Sequence, residues 1–167
     1  LAWLPTTDEQ PKGLKMDKWK SLEKQLQGIF CKVKATVDGY DLEFKKVLDG
    51  EKLVVAVFVN GFFMKGPWSS VDANGKPEHP EGRFWCPKKM RAYPVKKHAQ
   101  LKRLFGKKKA DQMTALRVAY LLPSFSSPKT LVTFYRKHFP ELKLVCDNCG
   151  ETYEASCQAC AAEQVTQ

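Results

Sequence analysis

Near the start of the chain, apolar residues recur at three- and four-residue steps. Trp19, Leu22, Leu26 and Phe30 follow one another with lysines between them, the spacing of an amphipathic helix over residues 17–28. Alternation then takes over. Residues 30–37 set Lys32 and Lys34 between apolar neighbours, Asp38-Gly39 marks a turn, and residues 42–47 alternate again. After a second turn signal at Asp49-Gly50, Leu53-Val-Val-Ala-Val-Phe-Val59 is continuously apolar, as a strand covered on both faces would be. These runs predict a three-stranded antiparallel meander whose third strand is the most buried.

Residues 65–87 are dominated by turn formers, among them Gly66-Pro67, Asn74-Gly75, Pro77, Pro80 and Gly82, which predicts a long excursion across the surface. Order resumes at Pro94, suited to the first turn of a helix that runs to about Phe105 and is capped by Gly106. Residues 107–113 add a further turn or two. Leu116, Val118 and Tyr120 alternate up to Pro123 as a fourth strand, and Ser127-Pro128 supply the N-cap and first-turn proline of a helix through about His138. Residues 142–145 form a short last strand. The sum is an α+β fold: a mainly antiparallel sheet of about four to five strands with two or three packed helices, plus a small C-terminal module.

At 167 residues and 43% hydrophobic content, the chain can bury one sizeable core. It divides into residues 1–15, read as a flexible leader or an expression remnant, residues 16–145 as the α+β domain, and residues 146–167 as a cysteine module with its tail. Apolar runs fall short of the roughly 18–20 residues that span a bilayer, and no secretory signal pattern is present. The expectation is a cytoplasmic protein with no membrane partner.

Charge changes this picture most. Residues 83–109 hold eleven Lys or Arg residues and no Asp or Glu, more positive charge than the whole chain's net of +10. Like charges repel, so stability alone gives no reason to gather them, and a polyanion is the partner they predict. On the expected helix, Lys96, Arg103 and, if the helix continues, Lys107 fall within about 40° of one another opposite Leu101, and Lys108 and Lys109 extend that row. Upstream, Arg83, Trp85, Lys88, Lys89 and Arg91 interleave aromatics with cations, a combination that suits stacked, unpaired bases and a neutralised backbone. The competing view puts Phe84 and Trp85 in the core.

Four of the six cysteines stand as Cys146-x-x-Cys149 and Cys157-x-x-Cys160, while Cys31 and Cys86 are isolated in apolar contexts. Metal ligands plus two buried free thiols fit this better than three disulfides. A two-residue gap lets one tight turn offer two sulfurs to one ion. Cys146-Asp-Asn-Cys149-Gly150 resembles the first knuckle of a zinc ribbon, whereas Cys157-Gln-Ala-Cys160 is followed by Ala161 in place of glycine. The resemblance covers residues 146–160 only and implies a structural Zn²⁺ held by Cys146, Cys149, Cys157 and Cys160, with no coordination position left open. Asp147, Glu151, Glu154 and Glu163 make this end acidic, so it should repel nucleic acid and act as a clamp or protein-contact module.

Asp41-Leu-Glu43-Phe-Lys45 carries the acid, acid-x-Lys grammar of metal-dependent nucleases, and the element order is similar to the restriction-endonuclease-like core. That resemblance implies two acids on a divalent metal and a lysine that polarises the attacking water. All three residues share one strand, however, and on strand alternation they equally make the outer face of an amphipathic strand. His79, His98 and His138 show no catalytic spacing. The sequence therefore predicts a nucleic-acid-binding protein, DNA or RNA with single strands slightly favoured. Its alternatives are an adaptor or inhibitor that engages an acidic protein, and a nuclease.

Overall fold

A computed structural model describes residues 17–153 and residue 157. Helix α1 (Lys18–Gln25) opens on Asp17, whose side chain accepts from the Trp19 backbone amide, and buries Trp19 and Leu22. The meander follows as β1 (Lys32–Val37), β2 (Tyr40–Asp49) and β3 (Lys52–Val59). Asp38 and Gly39 both take positive φ in the first turn, as a tight two-residue hairpin requires. After the meander come β4 (Cys86–Arg91), α2 (His98–Phe105), α3 (Lys107–Ala115), β5 (Arg117–Leu122) and β6 (Ser124–Phe125). Helix α4 (Pro128–His138), β7 (Lys143–Val145) and β8 (Thr152–Tyr153) complete the described chain.

Six strands form one sheet in the order β6-β3-β2-β1-β7-β8, and β4 pairs with β5 in a separate ribbon. Every pairing is antiparallel. The fold class is therefore the α+β expected, with more strands and one more helix than the sequence pattern suggested.

Register explains the core. Val33 faces Phe44, Ala35 faces both Leu42 and Leu144, and Val57 faces Phe44, so these apolar side chains share one face of the sheet. Helices α1 and α4 cover that face: Phe44 meets Tyr135 edge-on at 5.1 Å between ring centres, and Leu22, Leu26, Leu131 and Tyr135 are buried. Ser127 caps α4 in a reciprocal box with Thr130. The opposite face carries Lys32, Lys34, Glu43 and Lys45, the polar half of the alternation.

Residues 65–81 run mostly along the surface as expected, but Trp68 and the end of the segment turn inward. Two short 3-10 turns, Pro67–Ser69 and Pro80–Phe84, bring Trp68, Phe84 and Trp85 into the core. Trp85 donates its indole N–H to the Val57 carbonyl at 3.2 Å, and Tyr135 donates its hydroxyl to the Phe84 carbonyl at 2.7 Å. The turn formers shape a segment that delivers large aromatics to the sheet edge. Cys31 and Cys86 are only half-buried, less enclosed than expected, and burial pushes the Cys86 thiol above its ordinary pKa although Lys88 opposes it.

Candidate nucleic-acid interface and metal centre

The basic segment is built as an arm. Strand β4 leaves the core at Cys86, pairs with β5 from Cys86↔Leu122 to Arg91↔Arg117, and residues 92–116, with α2 and α3, connect the ends of the two strands. Ala92 donates to the Leu116 carbonyl at 3.0 Å, which closes the base of this insertion. Lys88, Lys89, Met90 and Arg91 are all exposed, so both faces of this part of the ribbon meet solvent. His98 reaches from α2 to Asp111 on α3 at 2.7 Å, and Leu101, Ala110 and Thr114 supply the buried contact between the helices.

Lys88, Lys89, Arg91, Lys96, Lys97, Lys102, Arg103, Lys107, Lys108 and Lys109 are all exposed. None of them forms an ion pair with a described carboxylate. Lys109 lies over the Phe105 ring at 5.5 Å. On α3, Lys108 and Lys109 sit about 100° to 160° around the helix from the buried Ala110 and Thr114, off the face of the hairpin's own contact.

Three details differ from the sequence expectation. Lys96 lies in a 3-10 turn, Val95–Lys97, ahead of α2, and Gly106 (φ 81°, ψ 164°) ends α2 and starts α3 in a backbone region that only glycine enters freely. The single row through Lys96, Arg103 and Lys107 is therefore broken into three pieces. Trp85 is fully buried and has no ring face to offer a base. Arg83 is spent on the core: its guanidinium pairs with Asp38 at 3.3 Å and stacks over Tyr40 and Phe84 at 5.2 and 4.7 Å. One residue the sequence pattern missed is Arg117, outside the basic run and exposed directly across the ribbon from Arg91.

At the far edge of the main sheet, the loop between β7 and β8 presents the first cysteine pair. Cys146 donates its amide to the Glu151 carbonyl at 2.8 Å, Gly150 donates to the Cys146 carbonyl at 2.9 Å, and Gly150 takes φ 74°. The sulfurs of Cys146, Cys149 and Cys157 all lie within 4.8 Å of one another, with Cys149 and Cys157 at 3.3 Å. A tetrahedral site with zinc–sulfur bonds of about 2.3 Å needs sulfur–sulfur edges of about 3.8 Å, so the three thiols cluster within metal-binding distance. Cys160 lies outside the described residues.

This hairpin belongs to the main sheet, because β7 pairs with β1. Asp147 forms an ion pair with Lys34 of β1 at 3.0 Å; its hydrogen bond and its charge hold the Lys34 ammonium above its ordinary pKa. Tyr153 donates to Gln25 of α1 at 3.0 Å. Four strand spacings of about 4.8 Å separate β7 from β6, beside which the arm is rooted, or roughly 20 Å. Asp147 is thus committed to the sheet edge opposite the cations.

Asp41, Glu43 and Lys45 lie on β2, with Glu43 and Lys45 on the polar face of the sheet. Glu43 is held by Lys32 at 3.2 Å and Lys45 at 2.5 Å. Burial works to raise its pKa, but the hydrogen bonds and charges of Lys45 and Lys32 outweigh it and leave the carboxyl below its ordinary value. Asp41 pairs with no lysine among the described residues; its backbone exchanges hydrogen bonds with Asn60. No helix among the described residues is long and apolar enough to cross a membrane. No family model matches the chain, and neither a curated protein nor a solved structure matches it.

Proposed function

We propose that this protein binds nucleic acid through the arm of residues 86–117, chiefly by contacts to phosphate. The observation that carries the reading is the set of ten exposed cations from Lys88 to Lys109, none of which forms an ion pair with a described carboxylate, reinforced by Arg117. Such clustering is electrostatically costly in the free protein and is relieved by a polyanion. The burial of Trp85 shifts the weight from base stacking to backbone contact, with Phe105 the exposed ring left on the arm. Affinity should fall steeply with salt, measured by fluorescence anisotropy on single-stranded DNA, duplex DNA and RNA. Neutralising Lys96, Arg103 and Lys107 together should flatten the salt slope by up to about three units. Unchanged affinity and slope in that variant would remove the proposal.

A second reading has its own support. Met90, Val95, Leu104, Phe105, Leu116 and Val118 are exposed among the cations, and an acidic protein with an apolar centre would use both. Binding to an acidic protein control with shallow salt dependence, and to none of the nucleic acids, would favour it. The nuclease reading gains nothing from a Glu43 carboxylate already engaged by two lysines.

For the cysteine cluster, we propose a structural zinc ion with Cys160 as the fourth ligand. Three thiol sulfurs within 4.8 Å support it, since thiolate is the donor zinc prefers in closed structural sites. A reducing compartment, the cytoplasm, suits such a site. Elemental analysis of the purified protein should give one zinc per chain, and less than half an equivalent would overturn the assignment.

A further inference from the structure

Cross-strand register puts two arginines where a stable ribbon would avoid them. Arg91 and Arg117 are direct partners on β4 and β5. Because Ala92 donates to the Leu116 carbonyl at 3.0 Å, residues 92 and 116 are the hydrogen-bonded pair. The 91/117 pair next to them is then the non-hydrogen-bonded type, in which Cα atoms approach to about 4.5 Å and side chains lie closest. Like charges directly opposite each other destabilise a ribbon. Lys89 shares their face, diagonal to Arg117, and adds a third positive group.

We infer that Arg91 and Arg117 form a clamp for one phosphodiester group of a bound nucleic-acid backbone, which rests on the nucleic-acid reading of the arm. Both arginines are exposed and line a cavity of about 330 Å³ with Asp111, Thr114 and Ala115. The other polar side chains there each have a partner outside the arginine pair. Asp111 accepts through Oδ1 from the His98 ring at 2.7 Å and pairs with neither arginine, while the Thr114 hydroxyl donates to the Ala110 carbonyl at 2.9 Å. Two planar guanidinium forks without an acceptor among the described residues therefore face one small cavity. A phosphate group, with acceptor oxygens spaced for bidentate contact, is the ligand that matches them. The match also explains why arginine stands at both positions in an arm otherwise rich in lysine.

The clamp gives a signature that a merely structural arginine would not. Removing one member relieves repulsion in the free protein while it weakens the complex. The test uses the full chain as Arg117→Gln, Arg117→Lys and, as a charge-matched control on α4, Lys137→Gln. Nucleic-acid affinity is followed against salt, thermal stability is measured without ligand, and arginine side-chain N–H resonances are followed during titration with inorganic phosphate. Arg117→Gln should bind about tenfold more weakly, lose about one unit of salt slope and melt no lower than the parent. Arg117→Lys should keep the slope yet bind several-fold more weakly, Lys137→Gln should change neither, and Arg91 and Arg117 should shift together in phosphate.

Nucleic-acid binding by the parent with Arg117→Gln within twofold of it, with Arg117→Lys indistinguishable from it, or with no joint shift in phosphate would overturn the clamp and leave the wider reading standing. Absence of nucleic-acid binding by the parent itself would overturn both.

Discussion

Tyr135 shows how much one buried polar atom can hold. Its ring sits in the aromatic core, and burial pushes its hydroxyl well above the ordinary pKa, so the group remains a donor and supplies the bond to the Phe84 carbonyl at 2.7 Å. Tyr135→Phe leaves that carbonyl without its partner and should lower stability by about 1–3 kcal/mol in urea denaturation, with no effect on nucleic-acid binding. Glu43 makes a different kind of contribution. Its carboxyl is depressed below about 4.5 in the folded chain, so its stabilisation is complete above that value and is lost as pH falls through the lower folded value. Stability measured from neutral pH down to about 3 should therefore fall less steeply in Glu43→Gln than in the parent; equal steepness would show that the lysine pairs add nothing. Arg117 makes the opposite point about legibility: as an isolated cation it carries no sequence signal, and its importance comes only from the residue opposite it.

Helix α4 was the most readable element, because Ser127-Pro128 combine a cap and a first-turn proline and the structure starts the helix at Pro128. Ser127→Ala should cost about 1 kcal/mol of stability by removing the bond to the Thr130 amide, read as a lower urea midpoint. Strands β1 and β2 were legible for a similar reason: one buried face writes alternation into the chain, and glycine turns mark the ends, whereas β3 showed itself as a continuous apolar run. Strand β4 was not legible, because Lys88, Lys89, Met90 and Arg91 meet solvent on both faces and nothing imposes a period of two. Strand β6 has two residues, too few for any period. Helices α2 and α3 read as one element with an extension, since Gly106 signals an end without saying that a second helix starts on the same residue. The cysteine spacing was visible at once because ligand geometry fixes it locally. The place of the knuckle on the sheet edge was not, since it depends on β7 joining β1.

Taken together, the molecule separates its charges, with the arm rooted beside β6 and the cysteine hairpin at the β7–β8 edge. On the zinc reading, chelation should loosen the hairpin and leave the sheet intact: amide exchange at Cys146 and Gly150 should accelerate while β1 to β3 stay protected. With four strand spacings between β7 and β6, beside which the arm is rooted, nucleic-acid affinity should be unchanged in the same sample, and a parallel loss of affinity would mean the two ends are coupled. The bond from Ala92 to Leu116 carries one more consequence. A stretch of twenty-odd residues begins and ends at neighbouring points of a hairpin, so the helical tip has the layout of a detachable cartridge. Excising it and rejoining the strands with a short turn would keep the parent core and discard most of the positive charge, and splicing it into a hairpin of an unrelated scaffold would carry that charge elsewhere.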